Sequence, residues 1–263
     1  MDTPLHISRD PDGVVTLTLN VPDRRNAMTG PLTDAWSAAM AQLRTDHTVR
    51  CVVVAGEGPA FCSGGDLSWI AESPQLSVDA IRARMLPFYR TWLGIRELEV
   101  PTIAAVQGPA IGAGLCLALA CDLRYAARDR ARFAAPFTAL GMHAGMAATW
   151  LLPEAVGLPA ARELLFTGRA VGAEEAARLG LVNAVVDDAD LGEVVRAVAG
   201  TVAATAPLAT RLTKAALAQG GHRSVEDALQ WEALAQPVTM ATDDLREGIA
   251  AQRERRTPVF TGE

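Results

Sequence analysis

No stretch of this chain is strongly basic. With a formal net charge of −6 over 263 residues it lacks the positive face that phosphate backbones demand, and nucleic acid is excluded as a partner. Neither a GxGxxG fingerprint nor a GxxxxGK loop occurs, which disfavours a dinucleotide cofactor or a P-loop. The four histidines (His6, His47, His143, His222) are scattered without an HxxxH pair or a His/Cys cluster, so no metal ligand set is visible. The four cysteines, Cys51, Cys62, Cys116 and Cys121, form no CxxC pair and lie in apolar or glycine-rich surroundings. Buried free thiols in a reducing compartment, the cytoplasm, are therefore expected. The opening residues MDTPLHISRDPDG have neither the basic flank nor the apolar core of a signal peptide. The charge-free run from Pro101 to Cys121 carries two prolines, three glycines and a glutamine in a barely sufficient length, and no membrane partner is expected. No internal repeat and no low-complexity segment occurs.

What is present describes a globular protein. Half the residues are hydrophobic and 21% are charged, and the length suffices for one large domain, or one with a small appendage. The centre of the chain is 102–122, TIAAVQGPAIGAGLCLALACD. An apolar strand over Thr102 to Val106 breaks at Gln107-Gly108-Pro109, and Gly112 and Gly114 precede a buried helix that ends at Cys121-Asp122. Glycines at a helix start allow a ligand to approach the open N–H groups there, or they only permit close helix–sheet packing. The same pattern occurs once before. Cys51 to Ala55 reads as a buried strand running into a turn and then Ala60-Phe61-Cys62-Ser63-Gly64-Gly65-Asp66-Leu67. If both turns sit at one end of one sheet, two backbone N–H groups converge on a single oxygen, which is an oxyanion hole.

Strands over 5–9 and 14–20 form a hairpin through Pro11-Asp12-Gly13, and a polar loop over 21–28 leads to a helix started by Pro31. Leu32, Trp36, Met40 and Leu43 share its buried face. A polar piece, Ala71 to Ser77, precedes a helix over Val78 to Glu97, and a strand follows from Leu123. Strands alternating with helices predict an α/β fold with a mainly parallel sheet. Helical content rises from Glu174, with a short strand-like Leu181 to Val186, and the end of the chain reads as helices over 207–219, 224–235 and 242–255. The expected division is a core over 1–200 and a C-terminal helical region over 201–263.

Several segments resemble the crotonase superfamily, the enoyl-CoA hydratases and isomerases. They are Arg24-Arg25-Asn26-Ala27-Met28, Ala60 to Leu67, Ala105-Val106-Gln107-Gly108 with Gly112-Ala113-Gly114 and Ala120-Cys121-Asp122, Phe133-Ala134-Ala135-Pro136-Phe137 with Leu140-Gly141, and Ala176 to Val182. The resemblance implies a crotonase-like spiral of ββα units, a C-terminal helical region that assembles a homotrimer or a dimer of trimers, and an acyl-CoA thioester as substrate. Coenzyme A is then part of the substrate, and no separate cofactor is expected. Carried over by motif, the thioester oxygen is held by the N–H groups of Gly65 and Ala113. The resemblance places substrate against Arg24, Ala27, Ala60, Ser63, Gly64, Asp66, Leu67, Gly112, Cys116, Pro136, Phe137 and Leu140. Arg24 or Arg25 would meet the coenzyme A phosphates and Ala27 the adenine, unless the arginine pair is only a solvated turn.

The departures bear on the reaction. Hydratases of the family carry a glutamate two residues after the last glycine of the central motif and another just after the later proline; here those positions hold Cys116 and Phe137. Many of its isomerases keep an acid eight residues further on, at Gly145 here. Adding water needs an acid and a base within hydrogen-bond reach. His143, in a glycine-bearing loop, is a candidate base, or a loop histidine bonded to backbone or solvent. Asp66 fits a structural role in its turn. Phe137, Trp69, Met142 and Met146 form an apolar acyl pocket, or ordinary core. Three functions fit: an enzyme stabilising a thioester enolate, a decarboxylating or C–C-cleaving relative using the same hole, and a catalytically silent CoA-binding protein.

Overall fold

The computed structural model describes residues 3–71, 75–218 and 224–263, and the side chain of Leu67 lies outside the described residues. His222, the last residue of the expected 207–219 helix and part of the polar Ala71–Ser77 piece lie outside them too.

Strands β1 (Leu5–Arg9) and β2 (Val14–Leu19) pair antiparallel across a turn in which Gly13 takes φ +85°. Four parallel strands extend this edge: β3 (Cys51–Gly56), β4 (Thr102–Val106), β6 (Leu123–Ala127) and β9 (Ala184–Val186), in the order β1-β2-β3-β4-β6-β9. β4 is buried along its whole length, as an apolar run covered on both faces must be. The Pro101–Cys121 run is thus divided between two strands, a turn and a helix. No single helix among the described residues is long and apolar enough to cross a membrane.

Helix α1 (Gly30–Leu43) buries Leu32, Trp36, Met40 and Leu43, the face its spacing specified. Trp36 stacks on Trp92 of α3 (Val78–Leu93), ring centroids 5.0 Å apart. The indole N–H groups donate to the Thr91 carbonyl and the Thr33 hydroxyl, so two large buried rings leave no polar atom unpaired. α3 ends at Leu93 and the chain tightens into a 3-10 turn over Gly94–Glu97 where a continuous helix was expected. The strand expected from Leu181 is confined to Ala184–Val186.

A second sheet does not follow from the sequence pattern. β5 (Ala110–Ile111) pairs parallel with β7 (Arg132–Ala134), which pairs antiparallel with β8 (Val171–Gly172). Single bridges from Cys62 to Ala110 and from Met28 to Gly65 continue it. Each turn of the spiral therefore passes through the large sheet, then the small one, then a helix. β3, the Cys62–Gly65 segment and α2 (Leu67–Ala71) make one turn. β4, β5 and α4 (Ala113–Ala120) make the next, and β6, β7 and α5 (Ala148–Thr167) a third. This is the crotonase-like arrangement that the motifs imply.

Between β8 and β9 lies α6 (Ala173–Arg178), and α7 (Leu191–Ala203) then packs across β2, β3, β4 and β6. Three helices close the chain: α8 (Pro207–Leu217), α9 (Val225–Met240) and α10 (Asp243–Glu254). Lys214 fastens α8 to the core, with Nζ 2.8 Å from the Asp122 carboxylate and donating to the Val100 carbonyl at 2.7 Å.

Candidate active site

Asn26 organises the first part of the site. It is wholly buried, and its backbone takes φ +54°. Its side-chain oxygen accepts from the Val21 N–H, and its amide donates to the carbonyls of Glu57, Ala60 and Phe61 at 2.8–3.2 Å. Every polar atom of this buried amide is matched, so the 21–29 loop is fixed against the turn that follows β3. Ser63 completes the join through its N–H to the Arg25 carbonyl.

The two glycine turns abut. Gly64 takes φ +95°, and a Cβ built there would lie 2.6 Å from the Ile111 carbonyl oxygen and 3.2 Å from the Ala113 nitrogen. At Gly114 a Cβ would lie 2.0 Å from the Cys62 carbonyl oxygen. Only glycine permits these approaches. Gly112, at φ +56°, caps α4 and gives its own N–H to the Ala134 carbonyl. Met28 N–H donates to the Gly64 carbonyl at 2.8 Å. The N–H groups of Gly65 and Ala113 make no backbone hydrogen bond among the described residues. Two unused donors thus lie on adjoining turns, one of them at the positive end of a helix.

Asp66 accepts from the hydroxyl of Ser68 at 2.7 Å and from its N–H at 3.0 Å, and pairs with Arg24 at 2.9 Å. The Ser68 hydroxyl first, then the Ser68 N–H and Arg24, hold its carboxyl below the ordinary range against a cost of burial. A cavity of about 390 Å³ beside this turn is lined by Met28, Thr33, Asp66, Trp69, Arg84 and Phe88. A larger groove, about 770 Å³, runs from the far end of α4 to α8 and holds none of the candidate site residues. Ala27 and Ala60 are buried, the Arg24 side chain is half-exposed, Pro136 is half-buried and Leu140 lies on the surface.

The family model for enoyl-CoA hydratase/isomerase matches residues 9–263. The chain belongs to the enoyl-CoA hydratase/isomerase family. It is 39% identical over 259 residues to a probable enoyl-CoA hydratase of Mycobacterium leprae, covering 94% of this chain and 86% of that protein. Against a putative enoyl-CoA hydratase of Thermus thermophilus it is 37% identical over 247 residues, covering 94% and 97%. The crystal structure of an enoyl-CoA hydratase from Bacillus anthracis matches it with a TM-score of 0.92 at 32% identity, over 99% of this chain and 100% of that one. The protein is an enzyme of the enoyl-CoA hydratase/isomerase type.

The positions at which the resemblance implies proton transfer hold Cys116, Phe137 and Gly145. Cys116 is buried one turn into α4, its Sγ 3.7 Å from the Gly145 carbonyl oxygen, and burial pushes its thiol up to about 12. The Phe137 ring packs against Gly112, 3.8 Å from where a Cβ would stand. His143 is exposed, with Nδ1 2.7 Å from the Ala144 carbonyl oxygen, which is the backbone-bonded alternative for this histidine. Met146 is fully buried in the core, whereas Trp69 is half-buried, 5.6 Å from the Phe88 ring. One polar group at this place escapes sequence reasoning. The Tyr89 hydroxyl, from α3, lies where a side chain on Gly145 would stand, 2.5 Å from an ideal Cβ. No spacing rule links α3 to a loop more than fifty residues later.

Proposed function

We propose that this family member binds an acyl-CoA thioester and stabilises its enolate between the N–H groups of Gly65 and Ala113, without the paired glutamates of a hydratase. The observation that carries this reading is the close approach of the two glycine turns, where a Cβ on Gly64 would stand 3.2 Å from the Ala113 nitrogen, beside two amides that no backbone carbonyl uses. An enolate places negative charge on the thioester oxygen. Donors that converge on that oxygen before the reaction would need no reorganisation, and one such donor is worth about 3 kcal/mol of barrier. The half-exposed Arg24, anchored on Asp66, would meet the coenzyme A phosphates, with Ala27 beneath the adenine. Leu229, Leu234, Val238 and Met240 of α9 are exposed, which supports assembly of subunits through the C-terminal helices. Four buried free thiols support a cytoplasmic location.

The neutral groups at Cys116 and Phe137 favour a second reading of the same site. Loss of carbon dioxide from a malonyl-type thioester delivers the enolate without a base to remove a proton, and a C–C-cleaving reaction would place the same charge in the same hole. The hole then does the larger part of the work, and only one proton must be supplied.

Incubation with 2-enoyl-, 3-enoyl- and carboxyacyl-CoA substrates, followed by product masses, separates these readings. Turnover of at least one class is expected, and turnover confined to carboxyacyl-CoA selects the second. Tight acyl-CoA binding with no turnover of any class would reduce the protein to a binding function.

A further inference from the structure

We propose that the Tyr89 hydroxyl is the proton-transfer group of this site, delivering the proton that converts the thioester enolate to product at its α-carbon. The proposal rests on the acyl-CoA reading above.

Three observations lead to it. First, the loop opposite lies close to the hydroxyl: a Cβ on Gly145 would stand 2.5 Å from Tyr89 Oη and 3.1 Å from Cζ, so a side chain there would have to displace it. Second, packing does not require the oxygen. The ring lies 6.2 Å from Phe88, a contact that phenylalanine would make equally well, and Met85 Sδ at 4.0 Å is a weak acceptor. Third, the hydroxyl lies near the first turns of α4, whose Ala113 amide is one of the two proposed donors, because Gly145 is also the residue whose carbonyl faces Cys116 Sγ. Cys116 is almost wholly buried, while Tyr89 is half-buried.

The chemistry suits a phenol. Burial, and then the nearby Cys116, raise Tyr89 above the ordinary tyrosine range, so the group is neutral and acts as an acid. The enolate's electron pair forms the new Cα–H bond as the phenol O–H bond breaks, and the phenolate regains its proton from water. Cys116 on α4 is the titratable group bearing on Tyr89. In the facing loop His143 is exposed and turned to the Ala144 carbonyl, and on α3 the Arg84 guanidinium lies 4.7 Å over the Trp69 ring.

The test is exchange of the α-hydrogens of butyryl-CoA in deuterium oxide, followed by mass, for the full chain, Tyr89→Phe and Gly145→Ala. By microscopic reversibility the phenolate removes the proton that the phenol delivers. Exchange by the native chain should therefore rise about tenfold per pH unit toward the phenol's ionisation. Tyr89→Phe should be about 100-fold slower and lose that slope, with unchanged melting temperature and butyryl-CoA affinity. Gly145→Ala, which must displace the hydroxyl, should slow exchange while butyryl-CoA still binds. Equal rates in the native chain and Tyr89→Phe, or butyryl-CoA that binds the native chain without exchanging, would overturn the role of Tyr89. No binding of butyryl-CoA at all would overturn the acyl-CoA reading itself.

Discussion

Gly114 and Cys62 are in contact through their backbones: a Cβ on Gly114 would stand 2.0 Å from the Cys62 carbonyl oxygen. The second residue of α4 therefore fixes how closely the two glycine turns approach, and with it the spacing of the Gly65 and Ala113 amides.

Gly114→Ala forces these backbones apart. Overpacking against a carbonyl that cannot rotate away should cost about 3 kcal/mol, read as a fall in the melting temperature, and acyl-CoA affinity should fall with it. Gly192→Ala is the control. It lies in α7 with nothing within 4 Å of the added Cβ, and should raise stability by about 0.5 kcal/mol through helix propensity.

All four cysteines are buried, and desolvation pushes each thiol up to about 12. A disulfide reagent at about pH 8 should find no fast thiol in the native protein and four once it is unfolded. The sign of the pH effect follows from the same shift. The folded state holds these protons more tightly than the unfolded chain, so their contribution is complete below about pH 8.5 and is lost as pH rises toward 12. Denaturant midpoints should fall over that alkaline window. A fast-reacting Cys116 would contradict this account and give that thiol a chemical role.

The five- and six-residue strands of the large sheet and the buried face of α1 were legible because each carries a long enough apolar pattern, whereas β9 has only three residues. β4 is buried throughout, and Leu32, Trp36, Met40 and Leu43 follow one helical stripe. β5, β7 and β8 were not, since two or three residues hold no periodicity and only partners distant in the chain make them strands. α5 carries Pro153 and Pro159 and bends at Gly157, where φ is +73°, which breaks its pattern. The candidate site was legible in its backbone: glycines at fixed offsets announce two turns that abut. It was not legible where it depends on side chains brought together by folding. His143 attracted notice for its residue type and is exposed, whereas Tyr89, unremarkable in sequence, stands beside Gly145.

Placing glutamates at both Cys116 and Phe137 tests the proposal that the site works without the paired glutamates of a hydratase. If only the acid–base pair is missing, the double variant should hydrate crotonyl-CoA at a rate at least about 100-fold above the native chain, read as loss of the enoyl absorbance. Two carboxylates at buried positions should also lower stability by several kcal/mol, partly recovered on binding acyl-CoA. A double variant that folds, binds acyl-CoA and remains inert would show that the pocket differs from a hydratase in more than these side chains.

The proposed hole is tested most directly by the crystal structure of the full chain with butyryl-CoA. The thioester oxygen should lie within about 3.1 Å of both the Gly65 and Ala113 nitrogens, in the plane of each N–H. A thioester oxygen that meets only one of them, or that faces solvent with both amides unoccupied, would contradict the proposal.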